Sequence, residues 1–229
     1  MAMFPCEGQH DRDEAVEFLH SLQPFLSTGD LSRAADDIAR YAHGGQLYTF
    51  LSHVDVQVRR AAAMALTLLG DKQAVEPLVA ALHDSDVLVS QCAEDALWAI
   101  WFRAGNNRSC CHLKCGAHHL KHGNLDTAME KFSLAIETDP EFAEAYNQRA
   151  IAYYLAERYT DSINDCRRAL ERMPRHFGAM AGMGHCHAQL GNLSEARQCY
   201  HQALAINPRM EGIAASLEQI RTLLEKPAA

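Results

Sequence analysis

The sequence predicts an all-α protein built as an alpha-alpha superhelix, a solenoid of stacked helical hairpins. Two observations lead directly to this class: the chain repeats itself with a period of 31 residues in its first half and of 34 residues in its second. A third is compositional, because 48% of the 229 residues are hydrophobic and only 7 are proline. Repeat periods of this size are typical of stacked supersecondary units, which bury their apolar faces against each other.

The first repeat type lies within residues 1–105. The segment DVQVRRAAAMAL (Asp55–Leu66) recurs as DVLVSQCAEDAL (Asp86–Leu97). Between the copies, Gly70-Asp71 ends a helix and apolar residues recur at helical spacing. The order of Asp-x-x-Val, an Ala-rich helix, Gly-Asp and Ala-Val-x-Pro-Leu resembles HEAT repeats of the phycobilisome-lyase type, with Asp30–Leu51 as a shortened, degenerate copy. The resemblance implies an architecture but no lyase chemistry, because this scaffold is shared by many functions.

The second repeat type lies within residues 106–229. Prolines at 140, 174 and 208 end successive 34-residue units. In that register, equivalent positions carry Ala128, Ser162 and Ala196, then Phe132, Cys166 and Tyr200, then Ala135, Ala169 and Ala203. Small residues stand where the two helices of each hairpin cross (Gly116, Ala150, Gly184), and Gly123, Glu157 and Gly191 stand in the turn between them.

This pattern resembles three in-phase tetratricopeptide repeats, with units at about 109–142, 143–176 and 177–210. Apolar residues three to four positions apart then predict an amphipathic capping helix over 211–225. The predicted fold is therefore a block of HEAT-like repeats followed by three tetratricopeptide units and a cap.

The resemblance implies that the first helix of each unit lines a concave groove that holds another protein. The implied groove residues are Leu113, Lys114, Ala117, Lys121, Asn147, Gln148, Ile151, Tyr154, Leu155, Ala181, His185 and Gln189. Together they form a mildly apolar trough with a few amide and hydroxyl groups, which suits an apolar or helical segment of a protein or peptide partner. The expected function is that of a non-catalytic adaptor or scaffold, although the final helix or the HEAT-like block is an alternative occupant of the trough.

The best-known use of such a groove is a clamp of Lys, Asn and Arg side chains on the C-terminal carboxylate of heat-shock chaperones. The positions that would carry this clamp are Leu113, Ala117, Gln148, Gly178 and Gly182. Four of the five have no side-chain hydrogen-bond donor. The sequence therefore predicts that this groove does not recognise a terminal carboxylate in that way.

Seven Cys and His residues lie within the thirteen residues CCHLKCGAHHLKH, from Cys110 to His122. Cys111, Cys115, His118 and His122 share one helical face, which makes them the candidate metal ligands. The ends of an eleven-residue span are about 16 Å apart along a helix, so the four cannot close on one ion. We expect no metal and no cofactor; a metal- or thiol-dependent sensor built on this cluster and a self-associating structural module remain the alternative functions.

The net charge of −8 and the motif content exclude several function classes. Residues 1–105 contain 15 acidic and 7 basic side chains, and residues 106–229 contain 14 of each, with no clustered basic stripe. Nucleic-acid binding and an anionic membrane surface are therefore not expected. No phosphate-binding glycine loop, nucleophile elbow or zinc-protease motif occurs, so no catalytic residue and no enzyme activity are predicted. The start has no export signal and the cysteines suit a reducing compartment, so we expect a cytoplasmic protein of undetermined oligomeric state.

Overall fold

The computed structural model describes residues 14–21, 38, 39, 41 and 45–225. This part of the chain contains helices, turns and bends and no β-strand. The predicted all-α class is confirmed. The degenerate repeat predicted over Asp30–Leu51 lies mostly outside the described residues.

The chain divides into two compact units between Ile100 and Trp101. The sequence suggests a boundary a few residues later, after residue 105, and that boundary stays a proposal. The two units are described separately below.

The N-terminal unit is built from short hairpins. Residues 14–21 are helical. The helices that follow are α1 (Gln46–Phe50), α2 (Val56–Leu69), α3 (Val75–Ala81) and α4 (Val87–Arg103), with a 3-10 turn at Lys72–Ala74. The last residues of α4 belong to the second unit.

The aspartates that recur every 31 residues are helix N-caps. The Asp55 carboxylate accepts the N–H of Gln57 at 2.8 Å before α2, and the Asp86 carboxylate accepts the N–H of Val89 at 3.0 Å before α4. Each side chain satisfies a backbone donor that the first helical turn leaves without an intrahelical acceptor. The repeat is therefore recognisable in the sequence partly because both copies place an aspartate at the N-terminus of a helix.

Two arginines of α2 connect it to the loop that precedes α4. Arg59 binds Asp84 through Nε and Nη2, at 2.7 and 3.1 Å. Arg60 binds Asp86 in the same two-pronged way, at 2.9 and 2.6 Å. Bidentate pairs of this type fix orientation as well as distance, so they hold one repeat against the next.

The second unit contains three helical hairpins and a final helix. The hairpins are α5 (Asn107–Lys121) with α6 (Leu125–Thr138), α7 (Ala143–Leu155) with α8 (Tyr159–Arg172), and α9 (Phe177–Gln189) with α10 (Leu193–Ile206); α11 (Glu211–Glu225) follows. Ile213 and Ile220 of α11 are buried in a cluster with Ala181 and Tyr200. The final helix thus covers the apolar face of the third hairpin, as a cap must.

Small residues allow the two helices of a hairpin to cross closely. A Cβ atom built on Gly116 would lie 2.5 Å from the ring of Phe132, and one on Gly184 would lie 2.6 Å from the ring of Tyr200. In the second hairpin, Ala150 stands at the position of these glycines and Cys166 at the position of the aromatic rings. The smaller side chain of Cys166 leaves space at the site described below.

The turn between the helices of each hairpin needs one residue in the left-handed region. Gly123, Glu157 and Gly191 have φ values of 76°, 59° and 77°. The same backbone hydrogen bond closes each turn, for example from Arg158 N–H to the Tyr153 carbonyl at 2.8 Å. This is the pattern of a Schellman cap, and Glu157 adopts it without being glycine.

Among the described residues, no helix is both long enough and apolar enough to span a membrane.

Candidate functional site

The first helices of consecutive hairpins, α5, α7 and α9, lie next to one another. We call the side formed by their predicted groove residues the groove face. Five of these residues are solvent-exposed on it: Lys114, Lys121, Ile151, Leu155 and Gln189. The exposed groove residues therefore include two lysines of α5 and two apolar residues of α7.

Other predicted groove residues are buried. Leu113 and Ala181 belong to the apolar core. Asn147 and Gln148 are only 3% and 7% exposed, and their side-chain amides donate to the Glu144 carboxylate at 3.2 and 2.7 Å. These two amides support the groove from within and do not face solvent.

A cavity of ≈ 210 Å³ lies on the groove face, between α7, α8 and α9. It is lined by Asn147, Ala150, Ile151, Tyr154, Ser162, Cys166, Gly182 and His185. Ile151 is 37% exposed, so this wall also reaches the surface. Four predicted groove residues, Asn147, Ile151, Tyr154 and His185, thus converge on one cavity.

The cavity exists because two positions carry unusually small side chains. Cys166 occupies the position that Phe132 and Tyr200 fill in the neighbouring hairpins, so the second hairpin lacks the ring that closes this space. On the opposite wall Gly182 has no side chain at all. A Cβ atom built on Gly182 would be 3.6 Å from the Cys166 sulfur, an ordinary contact distance.

The polar groups of the walls are largely engaged within the protein. The Ser162 hydroxyl donates to the Ala150 carbonyl at 2.7 Å and accepts from the Cys186 thiol at 3.1 Å. Nδ1 of His185 is hydrogen-bonded to the Tyr200 hydroxyl at 2.7 Å. The cavity therefore presents mainly carbon and sulfur surface.

Burial favours the uncharged forms of three groups in or beside the cavity. It lowers the pKa of His185, raises the pKa of Tyr200 to about 12, and raises the pKa of the Cys166 thiol. Desolvation disfavours the charged form in each case. The site is therefore suited to an uncharged, apolar ligand group.

Three lining residues were absent from the groove positions predicted from the sequence: Ala150, Ser162 and Cys166. Gly182 had been named only as a clamp position without a donor. The sequence contained a signal for Cys166, because the equivalent positions of the other two repeats hold aromatic residues. It also contained one for Gly182, because the equivalent positions hold the longer side chains of Lys114 and Gln148. The predicted residues Lys114, Ala117, Lys121, Leu155 and Gln189 do not line the cavity.

The Cys/His cluster of α5 does not converge on one point. Cys111, Cys115, His118 and His122 are exposed, and the His118 and His122 rings are 4.4 Å apart. Within the described residues, no group of three or more His, Cys, Asp or Glu side chains is arranged to hold a metal ion. The Cys110 thiol is instead directed to the Gly105 carbonyl at 3.3 Å.

Models of known families match both parts of the chain. A HEAT-repeat model matches residues 46–118. Two tetratricopeptide-repeat models match residues 116–175 and 153–220.

Curated relatives match the chain over segments of about a hundred residues. Tetratricopeptide repeat protein 12 of Homo sapiens is 34% identical over 89 residues, which are 39% of this chain and 13% of the relative. A TPR repeat-containing protein of Rhizobium etli is 32% identical over 101 residues, or 44% of this chain and 48% of the relative. The Hsp70-Hsp90 organizing protein of Triticum aestivum is 29% identical over 105 residues, or 46% and 18%. The chain spans less than half of the length of each of these relatives.

Solved structures agree on the fold. The first tetratricopeptide domain of Spaghetti (RPAP3), bound to the HSP90 peptide SRMEEVD, has a TM-score of 0.51 at 22% identity and covers 52% of this chain and 94% of that domain. The Sgt2 tetratricopeptide domain of Aspergillus fumigatus has a TM-score of 0.52 at 16% identity and covers 55% and 89%. Helix pairing, repeat register and these matches agree that the chain contains HEAT-like repeats followed by tetratricopeptide repeats.

Proposed function

We propose that this chain is a non-catalytic adaptor that holds a segment of a partner protein against its groove face. The observation that carries the proposal is the apolar cavity beside the exposed side chains of Ile151 and Leu155, which are 37% and 53% exposed. An exposed apolar patch next to a pocket is typical of a protein-binding surface. The RPAP3 neighbour, which has the same fold, holds a peptide, and this supports a protein or peptide as the partner class.

The partner segment is bound in this proposal without a carboxylate clamp. At the five clamp positions, Leu113 is buried and apolar, Ala117, Gly178 and Gly182 have no donor, and the Gln148 amide is directed to Glu144. A buried carboxylate needs several converging donors to replace its hydration. Binding is therefore expected to depend on apolar contacts along the partner segment.

The proposal is tested with groove variants that leave the fold intact. Ile151→Ala/Leu155→Ala removes exposed apolar surface, whereas substitution of Asn147 or Gln148 would leave Glu144 buried with fewer hydrogen bonds. Partners crosslinked to the intact chain are identified by mass spectrometry, and each is purified and titrated against both proteins by calorimetry. The matched control is Asn164→Ala/Arg168→Ala, two exposed positions of α8.

The expected result is a purified partner whose affinity falls about tenfold or more in the groove variant and stays unchanged in the control, because two apolar side chains no longer contribute buried area. Equal affinities for wild type and groove variant, for every partner identified, would contradict the proposal.

A further inference from the structure

The volume of the cavity limits what it can hold. Pockets for cofactors and drug-sized molecules generally measure about 300 to 1,000 Å³, whereas an apolar cavity of about 150 Å³ already accepts a benzene molecule. At ≈ 210 Å³, the cavity of this chain lies between the two. Its size matches one large apolar side chain and is too small for a cofactor or a drug-sized molecule.

Gly182 is not required by the fold. Gly184, two residues later in the same helix, is required, because a Cβ atom there would lie 2.6 Å from the Tyr200 ring. At Gly182 the same atom would meet only the Cys166 sulfur, at 3.6 Å, and the backbone is not in the left-handed region. Glycine in a helix interior lowers stability relative to alanine, so Gly182 does not stabilise its helix. Its effect on the structure is the space that it leaves open beside Cys166.

The charges on the groove face are asymmetric. Lys114 and Lys121 of α5 are both exposed. The single acidic residue of α5, α7 and α9 is Glu144, which is buried and accepts hydrogen bonds from Asn147, Gln148 and His176. Beside the cavity, the face is therefore positive toward α5, and acidic side chains of a partner would find complementary charge there.

Distances set the spacing that a ligand needs. Neighbouring helices are about 8–10 Å apart, and an extended peptide advances about 3.3 Å per residue. The cavity lies between α7 and α9, so α5 is one to two helix spacings away. Acidic residues would then lie about three to six positions from the residue in the cavity.

We propose, building on the adaptor function above, that the cavity binds one large apolar side chain of the Leu, Met or Phe type from an extended partner segment. Acidic residues of the same segment, a few positions away, pair with Lys114 and Lys121. Gly182 and Cys166 determine the specificity, because they provide the space for the apolar side chain.

The test uses the intact chain and a library of random linear peptides displayed on phage. Wild type should enrich peptides with Leu, Met or Phe at one position and Asp or Glu about three to six positions away. Synthetic versions of the enriched peptides are then titrated by fluorescence anisotropy, together with versions in which the apolar residue is replaced by Ala or the acidic residues by Gln or Asn.

Two variants fill the cavity in independent ways. Gly182→Leu adds a side chain from α9, and Ala150→Gly/Cys166→Phe restores the glycine-aromatic pair seen at Gly116 and Phe132. Each should weaken binding of the enriched peptide about tenfold or more, and should abolish the difference between that peptide and its Ala version. Lys114→Gln/Lys121→Gln should abolish only the difference between the acidic peptide and its amide version.

Unfolding curves confirm that each variant is folded, and Gly182→Ala provides a milder variant that should shift enrichment toward smaller apolar residues. Peptides that lose affinity in Ile151→Ala/Leu155→Ala but not in either cavity-filling variant would overturn this inference and leave the adaptor function intact. Peptides insensitive to every groove substitution would overturn both. Enrichment of apolar residues without acidic ones would overturn the role assigned to the two lysines.

Discussion

The Nε2 atom of His176 lies 2.7 Å from Oε2 of Glu144, and neither side chain is exposed to solvent. Nδ1 of the same ring accepts the N–H of Ala179 at 3.1 Å, so Nε2 carries the proton and donates it to the carboxylate. The indole of Trp101 stacks on this ring with 4.1 Å between centroids. The contact joins α7 to the start of α9, and the Glu144 carboxylate lies in the interior.

Removal of the histidine should destabilise the second unit strongly. His176→Ala leaves the Glu144 carboxylate buried with one donor fewer and leaves a cavity beside Trp101. We expect the free energy of unfolding to fall by about 3 kcal/mol or more, as for other buried pairs that lose one partner. Urea unfolding followed by circular dichroism measures this loss. His201→Ala, at an exposed position, is the control and should stay within about 0.5 kcal/mol of wild type; similar losses in both variants would contradict the prediction.

The turn between α7 and α8 should become more stable when its strained residue is replaced. Glu157 has φ 59°, the conformation that glycine adopts at the equivalent Gly123 and Gly191. A left-handed conformation costs a non-glycine residue about 1–2 kcal/mol, and part of this is recovered in glycine despite its larger entropy loss. Glu157→Gly should therefore raise the free energy of unfolding by about 0.5 kcal/mol, and Gly191→Glu should lower it by about 1 kcal/mol.

Thermal unfolding of the two turn variants gives the sign of each change directly. A lower midpoint for Glu157→Gly than for wild type would show that the glutamate side chain contributes more than its backbone conformation costs.

The pair of Arg60 and Asp86 should make the N-terminal unit sensitive to acid. The Arg60 guanidinium and backbone N–H groups lower the pKa of Asp86 from its ordinary value of 3.8 to about 2. Because the pKa is lower in the folded state, the stabilisation is present above about pH 4 and is lost as the pH falls from about 4 to about 2. Asp86→Asn removes this charge but keeps an N-cap acceptor. Its stability deficit relative to wild type should shrink over that interval.

Unfolding measured at several pH values tests the acid sensitivity, with Asp95→Asn at an exposed position of α4 as the control. A deficit of Asp86→Asn that stays constant between about pH 5 and about pH 2 would contradict the linkage.

The proposal that the groove binds its partner without a carboxylate clamp is tested with one peptide in two chemical forms. The peptide SRMEEVD, which the RPAP3 domain binds, is prepared with a free and with an amidated C-terminus. Both forms should bind this chain with affinities within about threefold, because no converging donors replace the hydration of the terminal carboxylate. Isothermal calorimetry measures both. A loss of about tenfold or more on amidation would show that the terminal charge is recognised after all.

Several features of the groove depended on contacts that no local pattern encodes. Asn147 and Gln148 stand at groove positions in the 34-residue register, yet the structure directs their amides to Glu144. The other oxygen of that carboxylate lies 2.7 Å from Nε2 of His176, a residue 32 positions later in the sequence. The candidate metal ligands of α5 likewise share a helical face without converging, because a straight helix spreads them along its axis.

The sequence by itself determined the helical class, the order of the two repeat types and the register of the hairpins. These follow from apolar periodicity, N-cap aspartates such as Asp55 and Asp86, and a left-handed turn residue, and each of these acts within a few residues of chain. Only the tertiary structure decided which side chains of the groove face remain available and where a cavity opens. That outcome depends on how Cys166 of one hairpin and Gly182 of the next fill, or fail to fill, the same space, since packing volume is a property of residues distant in sequence that meet in the folded chain.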